Sequence, residues 1–181
     1  MNKVWFASDH HFFHKRIQEF CPTTRRGESV EEMNELIIQA HNSCVGYVDH
    51  VYFLGDFSFG TDEQTLMVLQ RLNRFKHLVY GNHDKVIKNN KEIQSLFASI
   101  QDYKRLSVEK QTVILFHFLI REWESCHHGS FHLYGHVHGG LPGIGRSMDV
   151  GLDARDDNSM RPWSWDEIHS KLSKMPIIEH H

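Results

Sequence analysis

Five short apolar runs in this chain end on Asp, Asn or His, and that arrangement restricts its fold more than any other feature. Val4-Trp5-Phe6-Ala7-Ser8 runs into Asp9-His10-His11, and Val51-Tyr52-Phe53-Leu54 into Gly55-Asp56. Leu78-Val79-Tyr80 runs into Gly81-Asn82-His83-Asp84, Val113-Ile114-Leu115-Phe116 into His117, and His132-Leu133-Tyr134 into Gly135-His136-Val137-His138. Each run has the length and the Val, Phe, Tyr and Leu content of a buried strand. Helical patterns separate them. Ser29 with Glu32 reads as a capping box, followed by an apolar stripe of Val30, Met33, Leu36, Ile37 and Ala40. Thr61 with Gln64 and Ser164 with Glu167 open two more helices, and a weaker one spans Lys88 to Phe97. Further strands are expected at Tyr103 to Val108 and Ser147 to Val150. Strands alternating with helices predict an α/β domain.

The 181 residues suit one domain, placed at residues 1–178, with Glu179-His180-His181 set aside as a candidate tag remnant. No apolar run approaches the roughly 18 residues of a membrane span, and the N-terminal run is too short for a signal peptide. Three scattered cysteines, Cys21, Cys44 and Cys126, make no disulfide framework. Together these point to a cytoplasmic protein. A net charge of −3 gives no global attraction for nucleic acid or anionic membranes. Histidine is the unusual entry in the composition, 16 in all.

In open α/β sheets, ligands gather beyond the carboxyl ends of the strands, where Asp9, His11, Asp56, Asn82, His117, His136 and His138 fall. Alternate residues of an extended chain point the same way, so Asp9 with His11, and His136 with His138, are expected to converge. Two carboxylates, one amide oxygen and four imidazoles suit Mn²⁺, Fe or Zn²⁺, and lack the thiolates of a structural zinc site. Seven ligands are too many for one such ion and natural for two that share a carboxylate. Two divalent ions, two carboxylates and a hydroxide leave the centre cationic, which attracts a phosphate. Each element alone is explicable as a turn or a polar pair; five in order, each after a strand, are not.

These motifs resemble the five ordered motifs of the calcineurin-like metallophosphoesterase superfamily, and residues 8–15 and 117–123 resemble a short prokaryotic and phage branch of it. The resemblance implies a four-layer α/β/β/α sandwich of mixed sheets. It implies Asp9, His11 and His138 on one metal, Asn82, His117 and His136 on the other, and Asp56 bridging. Two divalent metals follow, Mn foremost, with Fe, Zn, Ni or Co as alternatives. His83 would protonate the leaving group, and Asp84 would orient His83. Two departures stand out. Leu119 occupies a position where that branch often carries Pro. Gly55-Asp56-Phe57-Ser58-Phe59-Gly60 lacks the Arg of the protein phosphatases, which argues against a phosphoprotein substrate.

The expected activity is hydrolysis of small phosphate esters, nucleotides among them, with diesters slightly favoured because so short a chain leaves little room for a cap over the site. The alternatives are a nuclease acting on DNA or RNA ends, which the mildly acidic charge disfavours, and a non-catalytic scaffold like the retromer subunit of this fold. His14, Lys15, Arg16, Arg25 and Arg26 are candidates for a phosphate clamp, against a solvated basic face. Trp123 is a candidate for stacking on a base, against loop packing, with Arg121 beside it. His10 is read as packing, Cys126-His127-His128 as an exposed loop, Asp49-His50 as turn chemistry, and Asp153 to Asp157 as a solvated turn.

Overall fold

The structure is a computed structural model that describes residues 2–73 and 75–179; His180 and His181 of the candidate tag lie outside them. Strands β1 (Val4–Ala7), β2 (His50–Phe53), β3 (Lys76–Val79) and β4 (Ser99–Gln101) run parallel. Strands β5 (Tyr103–Val108), β6 (Gln111–Phe116), β7 (Phe131–Tyr134) and β8 (Ser147–Asp149) form a second sheet in that order, antiparallel at β5/β6 and parallel beyond. Strand β9 (Trp163–Ser164) returns antiparallel to β1, so the first sheet has the order β4-β3-β2-β1-β9.

Period-two alternation divides the first sheet's side chains between two cores. Trp5, Ala7, Val51, Phe53 and Leu78 face the helices, where α2 (Val30–Cys44) contributes Met33, Ile37 and Ile38, and α3 (Asp62–Arg71) contributes Val68 and Leu69. Phe6, Tyr52 and Val79 face the other way, against Val113, Leu115, Phe131 and Leu133 of the second sheet and Trp165, Ile168 and Leu172 of a C-terminal helix. Burying each such side chain contributes roughly 1.5–3 kcal/mol. The two mixed sheets therefore pack face to face with helices outside the first, the expected sandwich. The second sheet's outer cover is thin: Ile114 packs under Trp123 and Cys126, carried by a loop with one 3₁₀ turn, Cys126–His128.

The helix expected at residues 88–97 is broken in two. Asn90 is extended (φ −124°, ψ 110°), and its side-chain oxygen accepts the Glu92 and Ile93 N–H groups, ending α4 (Lys85–Asn89) and opening α5 (Lys91–Ser95). The short helix α1 (Ile17–Phe20) and strands β4 and β9 carry too little periodicity to be read from sequence. Full capping boxes form at Thr61/Gln64 and Ser164/Glu167. At Ser29 only half of the box forms, because the Glu32 carboxylate accepts from Glu28 N–H instead of from Ser29.

Candidate metal centre

All five polar strand ends lie at one edge. The first two loops track each other: Asp9 N–H donates to Gly55 O and His11 N–H to Asp56 O, both at 3.0 Å. The expected convergence occurs by a different route from extended backbone. Asp9 (φ 56°), His11 (φ 51°), Asp56 (φ 53°), His136 (φ 71°) and His138 (φ 49°) are all left-handed. Such residues cost about 1–3 kcal/mol each and persist only where their surroundings hold them. Close backbone approach helps to do so. A Cβ at Gly81 would overlap the Asp56 carboxylate, and one at Gly135 would overlap the Ser8 hydroxyl.

Asp9 and Asp56 each use one oxygen to tie loops together. Asp9 Oδ2 accepts His136 N–H at 2.8 Å, and Asp56 Oδ1 accepts His83 N–H at 2.8 Å. The other oxygens face imidazoles. Asp56 Oδ2 lies 3.5 Å from His117 Nε2 and 3.8 Å from His11 Nε2, and Asp9 Oδ1 lies 3.8 Å from His11 Nε2. His117 Nδ1 sits 2.6 Å from Leu54 O and must donate there, so Nε2 of the neutral ring turns a lone pair toward Asn82 Oδ1 at 3.0 Å and toward Asp56. Asp9 Oδ1 and both His11 nitrogens are buried without hydrogen-bond partners. Two donor groups result, Asp9/His11/His138 and Asp56/His117/His136, each with donor atoms within 4.8 Å of one another. Convergent lone pairs and unpartnered buried donors fit divalent cations, and the O/N set suits Mn, Fe or Zn.

The fields agree. Burial alone would raise Asp9, but the facing His11 imidazole and the nearby His117 and His138 hold it below the usual range. The same balance takes Asp56 down to about 2, chiefly through His117. Burial opposes charge on His117 and His138, yet Asp56 and Asp153 respectively raise them. His11 and His136 are lowered, mainly by burial.

Other sequence candidates fall into place unevenly. His83 is exposed at the rim, its ring 4.9 Å from Phe59 and 6.3 Å from His11. Asp84 does not orient it. The buried Asp84 carboxylate accepts Asp56 N–H (3.0 Å), Phe57 N–H (2.8 Å) and Gly81 N–H (2.7 Å), pinning the second and third motif loops to each other. Arg25 is not a phosphate clamp. It is buried beneath the site, where it pairs with Asp153 at 2.7 Å and donates to the carbonyls of Asp9 and His10. Arg16 is drawn off to Glu19, at 2.9 Å. Lys15, Arg26 and Arg121 are exposed, while His14 packs half-buried on Phe59 and His11. Trp123 is buried and donates to Ser130, which makes it a packing residue. His10 packs among Phe12, Phe53 and Phe57. In the 3₁₀ turn, His127 and His128 are exposed and Cys126 is buried.

Two carboxylates escaped the sequence reading. The Asp153 side chain is buried rather than solvated. Its Oδ2 accepts His138 Nδ1–H at 2.7 Å, leaving Nε2 of His138 for the site, the usual support of a metal-ligating imidazole. Asp149 accepts Gly139 and Gly151 N–H, and burial, with the charge of Asp9, pushes it up to about 6. It closes a strand as the other motif residues do, and that was its signal. Cys21 Sγ lies 4.0 Å from His138 Nδ1 and makes a third donor group with His138 and Asp153, while burial and Asp153 push its thiol up to about 11.

A two-sheet sandwich that gathers candidate metal ligands from five strand ends defines the class of site: one built to hold divalent cations. The model of the calcineurin-like phosphoesterase superfamily domain matches residues 3–141, and the chain belongs to that superfamily of phosphoesterases. An uncharacterized protein of Methanocaldococcus jannaschii is 38% identical over 87 residues, 47% of this chain and 48% of that protein, so the chain matches about half of that relative's length. The gene 66 protein of Mycobacterium phage L5 is 29% identical over 188 residues, 85% of this chain and 88% of its own. Among solved structures, a protein of unknown function from Aquifex aeolicus shares the fold with a TM-score of 0.74 and 22% identity, over 94% of this chain and 100% of that one. Among the described residues, no helix is long and apolar enough to cross a membrane.

Proposed function

We propose that the chain, a single domain over residues 1–178, is a binuclear phosphoesterase that hydrolyses small phosphate esters, diesters ahead of monoesters. Asp9, His11 and His138 hold one divalent ion, Asn82, His117 and His136 hold the other, and Asp56 bridges, with Mn²⁺ the first choice of metal. The carrying observation is Asp56 Oδ2, which faces His117 at 3.5 Å and His11 at 3.8 Å, one imidazole from each donor group. When bound, the ions supply Lewis acidity and a water made nucleophilic near neutral pH. The protein does the rest. Asp153 fixes the tautomer of His138, and Leu54 O fixes that of His117. Exposed His83 meets the ester at the rim and gives a proton to the departing oxygen. The exposure of Asn82, His83 and His136 leaves room for a second ester substituent, which supports the diester preference. Thiols at Cys21 and Cys44 outside any disulfide support a reducing, cytoplasmic setting.

The test is reconstitution with Mn²⁺ and assay on bis-p-nitrophenyl phosphate. His83→Ala should keep its metal and lose most turnover. Asp56→Asn should lower metal content at both positions by elemental analysis; normal content would refute the bridge. Full metal occupancy with no turnover on any generic ester would replace the enzyme with a metal-binding scaffold.

A further inference from the structure

Phe118 follows directly on His117. Its ring centroid lies 4.9 Å from that of His117 and 4.7 Å from that of His136, two members of one donor group. It belongs to none of the apolar cores and is 37% exposed. Scattered exposed apolar side chains are ordinary, but this one begins a strip. Phe116 lies 5.7 Å from Phe118, and Tyr103, its cross-strand partner on β5, lies 6.3 Å further on at 42% exposure. A row of rings that leads away from a phosphate-attracting centre matches a planar group carried on that phosphate. Trp123, the aromatic that the sequence offers for stacking, is buried and cannot serve.

We propose that Phe118, backed by Phe116 and Tyr103, is an aryl subsite, and that the substrate is a phosphodiester bearing a nucleobase or similar planar aromatic group on the Asn82/His117/His136 side. This rests on the phosphoesterase reading. Phe118 acts on specificity: it gives more binding energy to the flat substituent than to an alkyl group in its place.

The metal-loaded protein is assayed on bis-p-nitrophenyl phosphate and on ethyl p-nitrophenyl phosphate, which share a leaving group and differ in the retained substituent. Base-on-ring stacking predicts that Phe118→Ala cuts the ratio of kcat/KM between the aryl and ethyl esters by about 5- to 150-fold. Phe118→Trp should keep that ratio. Phe118→Leu preserves volume without the flat face and should lose it. If Phe118→Ala sheds metal, the Leu variant decides. Equal losses on both esters, or an aryl preference that survives in Phe118→Leu, would overturn the subsite. A wild type that hydrolyses both esters equally would also overturn it and leave the phosphoesterase reading intact. A metal-loaded wild type that hydrolyses neither defeats that reading instead. Calorimetric binding of phenylphosphonate against methylphosphonate then decides the subsite alone, and equal affinities sink it. A dinucleotide and a 12-mer oligonucleotide, run in parallel, separate a small-molecule source of the aromatic group from a nucleic-acid one.

Discussion

Replacing Asp84 by Asn separates two roles that one carboxylate could play. Its Oδ2 takes two backbone donors, Asp56 N–H and Gly81 N–H, and its Oδ1 takes a third, Phe57 N–H. An Asn amide oxygen can keep the first pair, but its NH₂ then meets Phe57 N–H donor to donor. One charge-assisted bond is lost and one buried N–H is orphaned, a cost of about 1.5–3 kcal/mol. Burial raises the Asp84 pKa, so the native charge is itself held at a cost that Asn removes, which favours the lower half of that range. For a chain of this length the melting temperature should fall by about 3–12 °C. Asp84→Ala orphans all three donors, about 3–9 kcal/mol against a typical total of about 5–15, and is expected to yield little folded protein. Thermal and urea unfolding of Asp84→Asn, with metal content measured on the same samples, checks the argument. A variant with wild-type stability and metal but lost turnover would refute it, because the carboxylate would then act on His83 after all.

His132 should make the fold acid-sensitive. Burial holds its pKa down to about 4, and the neutral ring accepts Ile120 N–H while donating to Ile114 O. Its folded pKa lies below the unfolded value near 6.5, so its contribution is intact above about pH 6.5 and is lost as pH falls toward 4, by about 1.4 kcal/mol per pH unit. In urea unfolding, wild type should lose about 1.8 kcal/mol more than His132→Phe between pH 7 and 5; parallel slopes would sink the claim. Asp153→Asn weakens the hold on His138, and metal affinity should drop about 10- to 100-fold in a titration. In Gly135→Ala the new methyl must displace Ser8 or Asp9, with an expected loss of about 1–3 kcal/mol in stability and weaker metal binding by the same titration.

The strands that carry the site were legible because each joins a hydrophobic run to a polar stop, a signal confined to a few consecutive residues. Boundaries held where a local bond fixes them, as at Thr61 and Ser164. They failed at Asn90, where a cap inside an apparently continuous pattern splits the helix. The assembly of the candidate ligands at one edge followed from topology. The supporting roles did not, because Arg25 with Asp153 and Asp84 with Phe57 are pairs joined only by the fold. Charge in sequence cannot say whether an arginine faces a substrate or a buried carboxylate.

Backbone handedness screens the residues that can stand at this edge. Asp and His, like Asn, adopt positive φ more readily than most side chains with a Cβ. Asp9, His11, Asp56, His136 and His138 are drawn from that small set. Glu would offer Asp56 the same carboxylate but a longer reach and a less tolerant backbone. A β-branched residue at His11 would meet torsional resistance before any question of coordination arose. Metal chemistry and main-chain torsion thus select the same few amino acids independently.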